Sequence, residues 1–232
     1  MASFGHDPVI WDRFPELTAV ALRLSGITGA PDTGARAAAY LDRARASLSG
    51  RTESELAPIQ AWRRAYARMR LKPTQYRCAA EALLRRLRRD GGLPAVHPLV
   101  DLLNAASVAY AVPVAAFDLA HVTGSLTVRP ATGEERYVTF TGEVENPAVG
   151  EVVFADEAGA AHARRWANRQ SGASAVRDGT HDVLVVAEAH HDGGAEDLPA
   201  LAGELRGDLA DLWDLTVVPV ALTAADPRID LG

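Results

Sequence analysis

The run Ala163-Arg164-Arg165-Trp166-Ala167-Asn168-Arg169-Gln170-Ser171 gathers three guanidiniums, an indole, two amides and a hydroxyl in a chain with only four Trp. Guanidinium forks bind phosphate or carboxylate bidentately, and an indole stacks on bases or cations. Together they suit an anionic, flat ligand, and the terminal nucleotide of an RNA fits that description. Asp101, Asn104 and Ser107 recur at spacings of three in an otherwise apolar segment, so a helix would carry them on one broad face. Such a ridge either satisfies neighbouring backbone or lines a cavity. Asp118, in Ala-Phe-Asp-Leu, has the setting of a turn-forming, helix-capping carboxylate. His162, His181, His190 and His191 match no zinc-ligand spacing, so neither a metal nor a cofactor is expected. Gly91-Gly92-Leu93-Pro94 lacks the lysine and spacing of a phosphate-binding loop. No Ser-His-Asp or Cys-His arrangement is legible, and Cys78 reads as a packing residue.

These residues need elements to hold them. Residues 17–24 alternate as a strand, stopped by Gly26, Gly29 and Pro31. Helices are expected over 35–48, from a capping box at Thr52-x-x-Glu55 through about Arg68, and from Pro73 through Arg89. In the third, Ala79, Leu83, Leu84 and Leu87 form the apolar stripe, leaving Arg77, Arg85, Arg88 and Arg89 outward. A further helix spans 99–111 and ends at Pro113. Short alternating segments at 125–129, 136–140, 151–155, 160–166 and 182–188 predict a mostly antiparallel sheet. A helix over 197–213 and a strand over 216–222 complete an α+β body. Residues 1–67 are read as an N-terminal strand and helices packed on a main body of 68–232.

At 232 residues and 48% hydrophobic, the chain is long enough to bury a substantial core. One cysteine excludes a disulfide framework and points to a reducing compartment, and neither a signal pattern nor a spanning apolar run is present. A cytoplasmic protein without a membrane partner is therefore expected; oligomeric state is not legible. Net charge is −6, which argues against nonspecific coating of nucleic acid. Its distribution matters more. Between Arg43 and Arg89 only Glu53, Glu55 and Glu81 oppose the basic residues, whereas from Asp178 onward Arg206 and Arg228 alone oppose the carboxylates. A local basic face can bind phosphate while the acidic remainder limits nonspecific association. Arg-rich solvated helices would look the same.

The pattern Leu-Pro-x-Val-x-Pro-Leu-Val-Asp-Leu-Leu-Asn from Leu93, Ala-Phe-Asp-Leu at 116–119 and Gly-Ser-Leu-Thr-Val-Arg-x-Ala-x-Gly-Glu at 124–134 resembles the B3/B4 domain of the phenylalanyl-tRNA synthetase β subunit. The likeness continues through Gly150–Asp156 and Thr180–Leu184, and the Arg-Arg-Trp-x-x-Arg-Gln-Ser element is similar to that of free-standing B3/B4 proteins. It spans about residues 68–188, without the ligase's catalytic parts. The resemblance implies a B3/B4-like fold, contact with a tRNA acceptor end or other RNA, and hydrolytic editing of an aminoacyl ester. It also implies departures. The family histidine before Ala-Phe-Asp falls on Ala115, the glutamate that reads a tyrosine hydroxyl falls on Val186, and the glycine-rich editing loop falls on residues 165–171. Glu188, two residues beyond Val186, shares its face if the segment is a strand.

An aminoacyl ester is already activated, so a positioned water and oxyanion donors suffice without a covalent nucleophile. On this reading Asn168, Ser171 and Arg165 serve catalysis. Arg164, Arg169 and Gln170 contact phosphate or acyl group, Trp166 stacks on the terminal adenine, and Asn104 and Ser107 face the cleft. The alternative is that the arginines form a structural ion-pair cluster, with Asp118 and Asp156 as partners, in a noncatalytic RNA- or small-molecule-binding module.

Overall fold

The computed structural model describes residues 2–232. In chain order its elements are β1 (Ser3–His6), α1 (Pro8–Arg13), β2 (Thr18–Ser25), α2 (Gly34–Ser47), a short 3-10 turn (Glu53–Glu55), α3 (Ala57–Arg68), α4 (Ala79–Asp90) and α5 (Pro98–Tyr110). Then come β3 (Val114–Asp118), β4 (Leu126–Pro130), β5 (Arg136–Val138), β6 (Val144–Glu145), β7 (Val152–Ala155), β8 (Ala160–Arg164), β9 (Arg169–Gln170) and β10 (Asp182–Ala189). The chain closes with α6 (Gly194–Trp213), β11 (Pro219–Leu222) and β12 (Arg228–Asp230).

The fold is α+β, with two sheets instead of one. A four-stranded antiparallel sheet runs β11-β2-β10-β3. The larger sheet runs β12-β1-β4-β7-β8-β5-β6, with β9 hairpinned onto β8; its β1–β4 and β5–β8 pairs are parallel. Residues 2–67 supply β1 to one sheet and β2 to the other, so the N-terminal segment is part of both sheets.

Alternation in β2 and β10 fixes how the layers meet. Ala19, Ala21, Leu184 and Val186 face one core, shared with the larger sheet and with α3 and α4. Val20, Leu22, Leu24, Val183, Val185 and Ala187 face a second core under α5 and α6. Because β10 is covered on both faces, it reads as a near-continuous apolar run. Glu188 interrupts that run, on the face of Val186.

Two helix boundaries differ from expectation for identifiable reasons. The capping box at Thr52 exists, but it closes only the 3-10 turn; Pro58, at the start of α3, begins a separate helix. α4 begins at Ala79, not at Pro73, and the Ala79 amide is bonded by the Ala167 carbonyl at 2.7 Å. Tertiary contact with the Arg-rich run therefore sets where this helix starts. β1, α1, β3 and β12, too short or too uniform for a periodic signal, were not anticipated.

Candidate functional site

The Arg-rich run is a β-hairpin. β8 ends at Arg164, residues 165–168 turn, and β9 returns with Arg164 paired to Arg169. Arg165 and Trp166 both adopt left-handed backbone, at φ 47° and 55°. Outside glycine this conformation costs roughly 1–2 kcal/mol per residue, so neighbouring contacts must hold it. Glu151 does so. Its carboxylate takes two parallel bonds from Arg164, Nε at 2.9 Å and Nη2 at 3.0 Å, and a third from the Arg165 amide at 3.0 Å. The Trp166 amide donates to the Val152 carbonyl at 2.7 Å.

The guanidiniums pair with Glu145 and Glu151, not with Asp118 or Asp156. Arg169 bonds Glu145 at 3.0 Å and lies over the Tyr137 ring, 5.1 Å from its centroid. Desolvation opposes ionisation of Glu145, but the charges and hydrogen bonds of Arg169 and Arg164 outweigh it and hold the carboxyl below its usual range. Arg165 lies over Tyr76 at 4.7 Å. Arg164 is buried.

Between this hairpin, the β3 edge and β10 lies a cleft of about 60 Å³. Ala79, Ala115, Ala163, Ala167 and Val186 give it apolar walls, Asn168, Arg169 and Gln170 form its polar side, and Glu188 borders it from β10. Asn168 donates to the Arg77 carbonyl at 2.7 Å, and Gln170 donates to the Ala116 carbonyl. These two amides fasten the hairpin to α4 and to β3. The α4 N-terminus therefore opens on the cleft, where its dipole favours negative charge.

The structure brings together Trp166, Asn168, Arg169 and Gln170 at the cleft and leaves the other expected residues outside it. Trp166 needs a correction. Its indole is 0% exposed, set edge-on to Phe14, Trp62 and His190, so it has no face for an adenine. Its Nε1 instead donates to Glu188 Oε1 at 2.9 Å. Ser171 is buried and donates to the Val138 carbonyl at 2.8 Å, which pins β9 to β5. Ser107 closes the end of its own helix by donating to the Val112 carbonyl at 2.7 Å, and neither Asn104 nor Ser107 borders the cleft. Asp118 accepts from the Ala120 amide and the Thr180 hydroxyl, as a capping carboxylate does.

A hydroxyl–imidazole–carboxylate line exists that no sequence spacing revealed. His162 Nδ1 lies 2.8 Å from Ser174 Oγ, and its Nε2 lies 3.2 Å from Asp156 Oδ2. All three are buried, and none lines the cleft. Asp156 also accepts from the amides of Thr123, Ala158 and Ala160. Desolvation keeps the His162 pKa low against the pull of Asp156. Buried and away from the cleft, this line organises turns. Cys78 is equally sealed, and burial pushes its thiol up to about 12, so it is no thiolate nucleophile.

The residue that sequence reasoning left least defined is Glu188. Its Oε1 receives Trp166 Nε1 and lies 2.6 Å from His6 Nε2, and Trp62 donates to its backbone carbonyl at 3.3 Å. His6 arrives on β1, which carries too few residues to announce itself. The one available signal was a carboxylate inside the apolar run of β10.

Of the arginines expected outward, Arg77, just ahead of α4, pairs with buried Glu81 and Arg88 with buried Glu53; Arg63 of α3 also pairs with Glu81. Arg64, Arg70, Lys72 and Arg85 are exposed and have no carboxylate within 4.0 Å among the described residues. No helix among the described residues is long and apolar enough to cross a membrane, and no group of three metal-ligating side chains is assembled among them.

Similar proteins include the phenylalanine–tRNA ligase beta subunit of Photorhabdus laumondii, 31% identical over 50% of this chain and 14% of that protein. The same subunit of Shewanella oneidensis is 36% identical over 42% of this chain and 12% of its own length. The chain thus matches only about an eighth of these relatives. A crystal structure of an N-terminal fragment of the phenylalanyl-tRNA synthetase beta subunit from Pyrococcus horikoshii aligns with 94% of this chain and 53% of the fragment, at 7% identity and a TM-score of 0.47. The B3/4 domain model matches residues 61–194, more than half of the chain and the whole of the hairpin, β10 and the cleft between them, and the chain therefore belongs to the B3/4 domain family.

Proposed function

We propose that this protein is a trans-acting hydrolase that cleaves the ester of a mischarged aminoacyl-tRNA in the cleft between the β8–β9 hairpin and β10. The observation that carries the reading is the coincidence, in a B3/4 domain, of an apolar-walled cleft with Asn168, Arg169 and Gln170 along one side. The acyl group enters the cleft, while the bulk of the tRNA remains outside. Water attacks the ester carbonyl, and the electron pair moves onto the carbonyl oxygen. Arg169, 38% exposed although both its terminal nitrogens contact Glu145, supplies positive charge for that oxyanion or the adjacent phosphate, with the α4 N-terminus adding its dipole. The second amide hydrogen of Asn168, beside the one held by Arg77, is available to the acyl group. Collapse then breaks the acyl–oxygen bond: the ribose oxygen takes one proton of the attacking water and leaves as the hydroxyl, the other proton passes to solvent, and the amino acid leaves as its carboxylate. Glu151, Arg164, Arg165 and Ser171 act as positioning residues, fixing the hairpin that carries these donors.

The exposed cations Arg64 on α3, Arg70 and Lys72 between α3 and α4, and Arg85 on α4 provide phosphate contacts, consistent with a tRNA partner in the cytoplasm. Incubation with a panel of aminoacyl-tRNAs, including noncognate and nonprotein amino acids, should release amino acid from at least one member. Arg169→Ala should lower that rate at least tenfold. Pairing of every guanidinium in the run with Glu145 or Glu151 favours a second reading, a noncatalytic tRNA-binding module. Retained tRNA affinity with every ester intact would establish it.

A further inference from the structure

We infer that Glu188 Oε2 is a recognition group, and that the acyl groups accepted are small ones whose side chain ends in a hydroxyl. The inference rests on the hydrolase reading of the cleft and adds its substrate class.

Size is the first argument. The cleft holds about 60 Å³. A cavity of roughly 150 Å³ is what accommodates benzene in a protein interior. A phenol or phenyl side chain therefore does not fit without rearrangement, whereas one or two heavy atoms do. The walls are set by small residues from four elements: Ala79 on α4, Ala115 on β3, Ala163 on β8 and Val186 on β10.

Chemistry is the second. Glu188 is 4% exposed, yet it borders the cleft. Both side-chain bonds it receives, from Trp166 Nε1 and from His6, converge on Oε1. Oε2 takes no hydrogen bond from any described residue. That oxygen reaches the open space of the cleft, so an apolar group filling the cleft would strip it of water at a cost of roughly 1–3 kcal/mol, whereas a ligand donor of equal size that reaches Oε2 replaces the lost bond. The neighbouring bonds also prevent the carboxyl from rotating to serve itself: Trp166 is locked by Phe14 and Trp62, and His6 by Trp11 at 5.0 Å.

Geometry selects the side chain as the source of that donor. The ester carbonyl must lie toward Asn168 and Arg169, because the ribose cannot enter so small a space. The α-carbon lies next, and the side chain projects toward the buried carboxyl on the central strand β10. A site that hydrogen-bonds a substrate hydroxyl discriminates far more strongly against its absence than an apolar pocket discriminates by one methylene.

The test compares tRNA esters of serine, 2-aminobutyrate and tyrosine under single turnover with the full-length protein. Serine and 2-aminobutyrate match in size and differ in the hydroxyl. The expected result is seryl cleavage at least about tenfold faster than 2-aminobutyryl cleavage, with tyrosyl slower still. In Glu188→Met that seryl preference should collapse toward unity. Equal wild-type rates for the two small esters overturn the inference, as does tyrosyl cleavage matching seryl. A uniform loss in Glu188→Met would make Glu188 a general base or an α-ammonium contact and overturn it too. The substrate comparison needs only wild-type protein, so a variant that fails to fold leaves it decisive. If no ester is cleaved, the hydrolase reading fails separately, and the relative affinities of amide-linked seryl and 2-aminobutyryl analogues decide the recognition claim.

Discussion

Replacing Trp166 by Phe separates the two roles available to the only tryptophan in the Arg-rich hairpin. In the structure this indole is a core anchor: fully buried, 4.9 Å from Phe14, 5.3 Å from Trp62 and 5.0 Å from His190 by ring centroids, and bonded to Glu188. Phenylalanine retains most of the ring contacts but has no N–H. Leaving the buried carboxyl one partner short costs roughly 1–3 kcal/mol, and the smaller ring adds about 1 kcal/mol for the space it vacates. The expected loss is about 3 kcal/mol. For a protein of this length, 1 kcal/mol corresponds to roughly 2–4 °C, so Tm should fall by roughly 6–12 °C. Urea and thermal unfolding measure this, and tRNA affinity is measured well below the variant's Tm. The anchor role requires a large stability loss with affinity nearly retained. A base-stacking platform would show the reverse, a stability change under about 0.5 kcal/mol and a binding loss of roughly 1–3 kcal/mol. That second pattern would refute the placement of Trp166 in the core.

Other outcomes follow from the same contacts. His190 is buried against Trp62 and Trp166 with neither ring nitrogen hydrogen-bonded, and desolvation pulls its pKa down to about 3. An unfolded histidine titrates near 6.5, so between these values the unfolded chain binds more protons and stability falls as pH drops from about 6.5 toward 3. His162, shifted down by the same cause, adds to that trend. Urea unfolding at pH 7.5 and pH 5 should differ by about 2 kcal/mol from His190 alone, and His190→Phe should shrink the difference without destabilising the protein at pH 7.5. Ser174→Ala should cost about 1–2 kcal/mol by stranding His162 Nδ1 and leave ester hydrolysis unchanged; loss of hydrolysis with an intact fold would restore the buried Ser174-His162-Asp156 line as catalytic. Removing the charges of Arg70 and Lys72 together should weaken tRNA binding at low salt and flatten the dependence of log affinity on log salt by about one to two.

Long periodic segments carried the fold into view: α2, α5, α6, β2 and β10 lie within a few residues of their expected ranges because each buries a stripe or an alternating face. The separation of two sheets was not legible. It depends on β1 and β12, which pair across almost the whole length of the chain, and on β3, whose Val114–Asp118 lacks polar alternation. The hairpin was visible as composition, yet its residue roles were not, since they depend on partners far away in sequence. Ser171 meets Val138, Arg164 meets Glu145 and Glu151, and Trp166 meets Phe14 and Trp62. Conversely, Val186 and Glu188 sharing a face was readable from strand periodicity alone, and the structure puts both at the cleft.

The most direct test of the hydrolase account fills the cleft from the β3 edge, where Ala115 forms part of its wall. Single-turnover release of amino acid from the best-cleaved aminoacyl-tRNA should fall at least about tenfold in Ala115→Val, whose two added methyl groups take up the space in the cleft, with tRNA affinity and Tm close to those of the parent protein. An unchanged rate in that variant, or a parent protein that releases no amino acid above the spontaneous rate from any ester, would contradict the account.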